Sequence, residues 1–102
     1  MVEPVRLVLS GFGAVGHAFL DAVLEQGPLV QVAAVRGHTA EALLTPGSAV
    51  PERSSWGRLQ PIGATLARTG ATVLVQALPS SPEAHARALQ EAVAALRRGW
   101  MW

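Results

Sequence analysis

Val5-Arg6-Leu7-Val8-Leu9-Ser10-Gly11-Phe12-Gly13-Ala14-Val15-Gly16 decides how this chain is read. The run from Val5 to Ser10 has the continuous apolar character of a buried parallel strand. A G-x-G-x-x-G turn follows, and a helical pattern then continues to about Gln26. Strand, glycine turn and helix in that order are the context in which the motif indicates dinucleotide binding. Each glycine has its own physical task. Gly11 turns the chain sharply off the strand, Gly13 lets a pyrophosphate approach the backbone, and Gly16 lets the helix pack tightly on the strand. The first helical turn adds unpaired N–H groups and the positive end of a dipole. The cofactor-binding set expected here is Gly11, Phe12, Gly13, Ala14, Val15 and Gly16. The competing reading is a tight βα turn without a ligand.

Working outward, the first helix carries Val15, Ala18, Phe19, Ala22 and Val23 as its expected apolar face. Asp21 and Glu25 fall on the other side, and Gly27-Pro28 ends it. Leu29 to Val35 reads as a second buried strand, which completes a βαβ unit. Ala40 to Leu44 is expected to form a helical turn capped by Thr39. Thr45 to Trp56 reads as loop, with Pro46, Gly47, Pro51, Ser54 and Ser55. Ile62 to Arg68 reads as a short helix closed by Gly70.

Ala71 to Leu78 is the third strong strand. A helix follows, with Ser80 or Ser81 as N-cap and Pro82 in the first turn. Glu83 completes a capping box if Ser80 is the cap. The expected apolar face of this helix is Ala86, Leu89, Val93 and Leu96. Arg97 and Arg98 suit its C-terminal end, and Gly99 stops it. Trp100-Met101-Trp102 reads as the start of another strand.

The 102 residues suffice for a single small domain. A net charge of +1, with eight scattered arginines and no lysine, disfavours nucleic-acid binding, which needs cations clustered on one face. The chain has no cysteine, which excludes disulfides and thiolate zinc sites. His17, His38 and His85 do not have metal-ligand spacing, so no metal site is expected. No apolar stretch has membrane-spanning length and no signal-like N-terminus is visible, so a cytoplasmic location is expected.

At the end of the second strand a dinucleotide fold usually presents an acidic residue to the ribose hydroxyls. Here the position holds Arg36, followed by His38 and Thr39. A guanidinium is a bidentate partner for a 2′-phosphate, so NADP is expected in preference to NAD. The alternative for Arg36 is a solvated side chain. After the third strand, Leu78, Pro79, Ser80 and Ser81 lie where open α/β sheets bind ligands, beyond the carboxyl ends of the strands. One serine is expected to cap the helix and the other is a candidate ligand contact. His17, in the first turn of the phosphate helix, is expected to be simply exposed, the alternative being an approach to the pyrophosphate or a substrate, and His85 is expected to be inert. Trp56 either stacks on an adenine or packs the loop down.

The segment from Val5 through Gly16-His17-Ala18-Phe19-Leu20 resembles the opening of homoserine dehydrogenase. The stretch from Ala71-Thr72-Val73-Leu74-Val75 through Leu89 and Ala92 to Arg98-Gly99 also resembles that family. The resemblance covers nearly the whole chain in order. It implies an oxidoreductase exchanging hydride between NAD(P) and an amino-acid alcohol or semialdehyde. Two departures matter. The family carries Glu before its Pro-Thr loop, and this chain has Gln76. The family also continues into a Thr-Ala-Asn-Lys stretch with a catalytic lysine and a substrate domain.

The expected fold is therefore a Rossmann-type parallel α/β sheet with flanking helices, truncated after the third strong strand and its helix. Its first strand is central, flanked by the second and third. The expected function is that of the cofactor half of a homoserine dehydrogenase-like enzyme, with no catalytic residue of its own. The chain by itself is accordingly expected to hold the cofactor without turnover. The alternatives are a non-catalytic dinucleotide-binding or interaction module and the cofactor domain of a related dehydrogenase. No membrane partner is expected. The unfinished edge near Trp100 and Trp102 is expected to support a homo-oligomer.

Overall fold

The computed structural model describes residues 4–25, 27, 29–45 and 49–97. The strands are β1 (Val5–Ser10), β2 (Val30–Arg36), β3 (Ala40–Leu43), β4 (Gly57–Arg58) and β5 (Val73–Gln76). The helices are α1 (Ala14–Glu25), α2 (Ile62–Thr69) and α3 (Pro82–Arg97), and a 3-10 turn spans Arg53–Ser55. The sheet runs β4-β3-β2-β1-β5. As expected, β1 is central, paired in parallel with β2 and β5. Because β1 has a strand on both sides and helices over both faces, it can be apolar throughout; Leu7 to Ser10 are all buried.

The two faces of β1 sort the core. Leu7 and Leu9 face one way and pack with Phe12, Leu20, Val35 and Ala42. Phe19 of α1 and Val50 and Trp56 of the long connection cover that cluster. Val8 faces the other way, with Ala34, Ile62, Leu66, Ala71 and Ala95 from under α2 and α3. Gly70 ends α2 in the left-handed conformation, its N–H bonding the Leu66 carbonyl, as a C-terminal glycine should.

Three expectations are corrected. The sheet is mixed, because Ala40–Leu43 is a strand antiparallel to β2 rather than a helical turn capped by Thr39. Gly37 N–H bonds the Ala40 carbonyl at 2.8 Å, which folds the chain back on β2. The period of two then sends Glu41 to one face and Ala42 to the other, and both are buried.

The second correction concerns α1, which buries Gly16, Leu20 and Val23, while Val15, Ala18 and Ala22 are exposed. Contact of Gly16 with the glycine turn sets that rotation, and Leu20 and Val23 follow at helical spacing. The third concerns α3, where Ala86, Leu89, Val93 and Leu96 are all exposed. The buried residues of that helix are Glu91 and Ala95. Polar pairing beneath the sheet, described below, turns the helix this way. Gln26, Pro28, Arg98, Gly99 and the Trp100-Met101-Trp102 strand lie outside the described residues. Among the described residues, no helix is long and apolar enough to cross a membrane.

Candidate functional site

The parallel core order β2-β1-β5 lines up three loops at one edge of the sheet. The turn after β1 lies between the turn after β2 and the loop after β5. A cavity of ≈ 800 Å³ opens there. Gly11, Phe12, Gly13, Ala14 and Val15 form its middle, with Gly37, His38 and Arg53 at the β2 end. At the β5 end are Gln76, Ala77, Leu78, Pro79 and Ser81. The wall there is completed from α3 by Glu83, Ala84 and Arg87.

The three glycines differ in the space around them. Gly11 has φ +101°, and a Cβ added to it would meet the Ala77 carbonyl oxygen at 2.4 Å. A Cβ on Gly16 would lie 2.4 Å from the Gly11 carbonyl oxygen, so that glycine sets how closely α1 approaches the turn. Around Gly13 a Cβ would meet nothing within 4 Å, and Gly13 is exposed on the cavity side. The amides of Ala14, Val15 and Gly16 precede the first helical hydrogen bond, from His17 N–H to the Gly13 carbonyl at 2.9 Å. They are left free for an anion, with the helix dipole behind them.

Arg36 does not line this cavity. Its side chain follows the parity of Ala34 and turns under the sheet, where it is only 3% exposed. There Nη1 lies 2.7 Å from Glu41 Oε1, 2.8 Å from Thr65 Oγ1 and 2.9 Å from the Gln60 carbonyl. Nη2 pairs with Glu91 Oε2 at 3.3 Å. Burial lowers the Arg36 pKa below the ordinary guanidinium value, and the charges of Glu91 and Glu41 oppose that shift. The expectation of a 2′-phosphate clamp at Arg36 is thus corrected. Two carboxylates on the inner face outcompete solvent for the guanidinium, and the side chain never reaches the cavity.

The network extends to the cavity. Ser10 Oγ donates to Glu91 Oε1 at 2.7 Å, and Gln76 Nε2 donates to the same oxygen at 3.3 Å and to the Ala88 carbonyl at 2.9 Å. Arg87 Nε donates to Glu91 Oε2 at 3.3 Å. An amide at position 76 suits this neighbour; a carboxylate there would face Glu91 with like charge. Two arginines and two glutamates leave the cluster neutral overall, which is what burial of charge requires.

Of the remaining expected residues, His38, Leu78, Pro79 and Ser81 line the cavity, whereas Thr39 and Ser80 are exposed and do not. Ser81 is the helix cap, accepting the Ala84 N–H at 3.1 Å, so the box of Ser80 with Glu83 does not form. His17 is exposed, as expected, and its ring stacks on Phe12 at 3.8 Å. Trp56 packs its connection down: its ring lies 5.7 Å from Phe12, and its indole N–H bonds the Pro51 carbonyl at 2.9 Å. Arg53 lies over both rings and donates to the Phe12 carbonyl.

Sequence reading missed Gly37, Arg53, Gln76, Ala77, Glu83, Ala84 and Arg87 as cavity residues. For Arg53 no periodic signal existed, since it sits in an irregular connection. For Glu83 and Arg87 a signal did exist: they are one helical turn apart, at the start of the helix after the third strand. Comparison of the chain with protein-family models, with curated proteins and with solved structures returned no match.

Proposed function

We propose that this chain binds a dinucleotide, NADP or NAD, across the turn between β1 and α1. In this reading it is a Rossmann-type domain resembling the cofactor half of homoserine dehydrogenase. The observation that carries the proposal is the conjunction at Gly13: an exposed glycine with open space at its Cβ position, free amides beside it, and a cavity of ≈ 800 Å³ in front. Ligands in open α/β sheets bind at this edge, where strand order reverses around the first strand. The diphosphate would sit over Gly13 and the first turn of α1. One nucleoside would extend toward His38 and Arg53, and the other toward Leu78, Pro79 and Ser81.

The test is a titration with NADP, NAD and their reduced forms, using Gly13→Val as the informative variant. Its branched side chain would project into the space assigned to the diphosphate, from a Cβ position with no protein atom within 4 Å. Affinity should fall well over tenfold with the melting temperature unchanged. Wild-type affinity in that variant would move the ligand away from the turn.

With Arg36 buried away from the cavity, preference for NADP falls in this reading to Arg53, the one cation at the β2 end among the described residues. Exchange of a charge-assisted contact of about 1.5–3 kcal/mol for a repulsive carboxylate is a tenfold effect or more. Arg53→Glu should therefore weaken NADP at least tenfold and leave NAD nearly unchanged. Parallel losses for both cofactors, measured by fluorescence of the reduced forms, would remove Arg53 from selectivity.

A further inference from the structure

The β5 end of the cavity carries a cation whose aim is set by buried groups. Arg87 on α3 spends two of its three nitrogens inward. Nε donates to the buried Glu91 carboxylate, and Nη2 lies 3.3 Å from Ser10 Oγ. Ser10 immediately precedes Gly11, so this arginine is tied to the base of the glycine turn from the opposite face of the sheet to α1. Nη1 has no hydrogen-bond partner among the described residues, and the side chain lines the cavity. Its fork is thus held by two contacts, which leave the Nη1 donors unused on a side chain that lines the cavity. Glu83, one turn earlier, lines the same wall, and its carboxylate opposes an anion placed beside it.

We propose that Arg87 is a phosphate-binding residue: through Nη1 it meets the diphosphate from the α3 side while the amides of α1 meet it from the other. This rests on the dinucleotide reading for the identity of the ligand, and on the cavity and the Glu91–Arg87–Ser10 tether for the site. The sheet holds the two halves of the site together, because Ser10 ends the strand that leads into the turn. A free guanidinium donor preset by two contacts loses little freedom on binding, which favours a rigid, charge-assisted contact.

The experiment uses two probes, inorganic pyrophosphate and NADPH, titrated separately into the wild type, Arg87→Gln, Arg87→Lys and Glu83→Gln. Arg87→Gln should lose at least tenfold in affinity for both probes, with a shallower salt dependence. Arg87→Lys should recover part of the loss, and Glu83→Gln should bind pyrophosphate as well as wild type or better. Melting curves of each variant separate loss of binding from loss of fold, because Glu91 keeps Arg36, Ser10 and Gln76 when Arg87 is shortened. If NADPH binds wild type and Arg87→Gln alike, the assignment of Arg87 fails and the dinucleotide reading stands. If pyrophosphate binds in an Arg87-dependent way and no dinucleotide does, the dinucleotide reading fails and the phosphate site stands. Absence of binding by either probe overturns both.

Discussion

Replacing Arg36 with methionine is expected to lower the unfolding free energy by about 3–5 kcal/mol, the range found when one partner of a buried ion pair is removed. The guanidinium is the common partner of Glu41 and Glu91, which are both buried. Without it two carboxylates face each other's vicinity in an apolar setting, with Thr65, Ser10 and Gln76 as neutral donors and Arg87 as the remaining cation. Small domains are stable by about 5–15 kcal/mol, so this variant should be close to unfolding at room temperature. Urea denaturation monitored by circular dichroism would measure it. Adding Glu41→Gln to Arg36→Met should return part of the loss, since one of the two uncompensated charges is then gone. A single variant within about 1 kcal/mol of wild type would mean that the pairing contributes little beyond packing. The result bears on function too. Arg36→Asp, the natural exchange for shifting cofactor preference, would unfold the domain and report nothing about the 2′-phosphate.

Gly11→Ala is expected to cost at least about 3 kcal/mol, whereas Gly13→Ala should stay within about 0.5 kcal/mol of wild type. Both are glycine-to-alanine changes in one turn, two residues apart, so helix propensity and composition cannot separate them. What separates them is surroundings. At Gly11 the backbone has φ +101°, and the new methyl would lie 2.4 Å from the Ala77 carbonyl oxygen and 2.7 Å from its carbon. A backbone carbonyl cannot swing aside as a side chain would. Relief means parting β1 from the chain after β5, at the expense of the Ala77 N–H bond to the Ser10 carbonyl and the Gly11 N–H bond to the Arg36 carbonyl. At Gly13 the methyl would project into the cavity and touch nothing. For a domain of this size each kcal/mol moves the melting temperature by about 4–8 °C. Gly11→Ala should therefore melt more than about 12 °C below wild type, whereas Gly13→Ala should melt alongside wild type. Equal melting of the two variants would show that the close approach at Gly11 relaxes at no cost.

Local pattern and spacing in the sequence determined the parallel core of this protein. Val5–Ser10, Val30–Arg36 and Val73–Gln76 lie in short apolar runs bounded by turn residues, and each forms a strand. The glycine turn after the first of them marked the end of the sheet where the cavity opens, because conformation at a single glycine is a local property. Ile62–Thr69 closed by Gly70 was legible for the same reason. What only the tertiary structure decided were matters of partnership. Arg36 looked like a free cation at a strand end, and its true partners are 5 and 55 residues further along the chain at Glu41 and Glu91. The same pairing turns α3 so that Glu91 is buried and Leu89 exposed, against the helix's own apolar periodicity. Ala40–Leu43 became a strand because β2 offered an open edge and Arg36 a counter-charge. Arg53 reached the cavity from an irregular connection, where linear spacing carries no signal. Charge pairing across a sheet depends on which residues the fold brings within a few ångströms, and no periodicity along the chain encodes that distance.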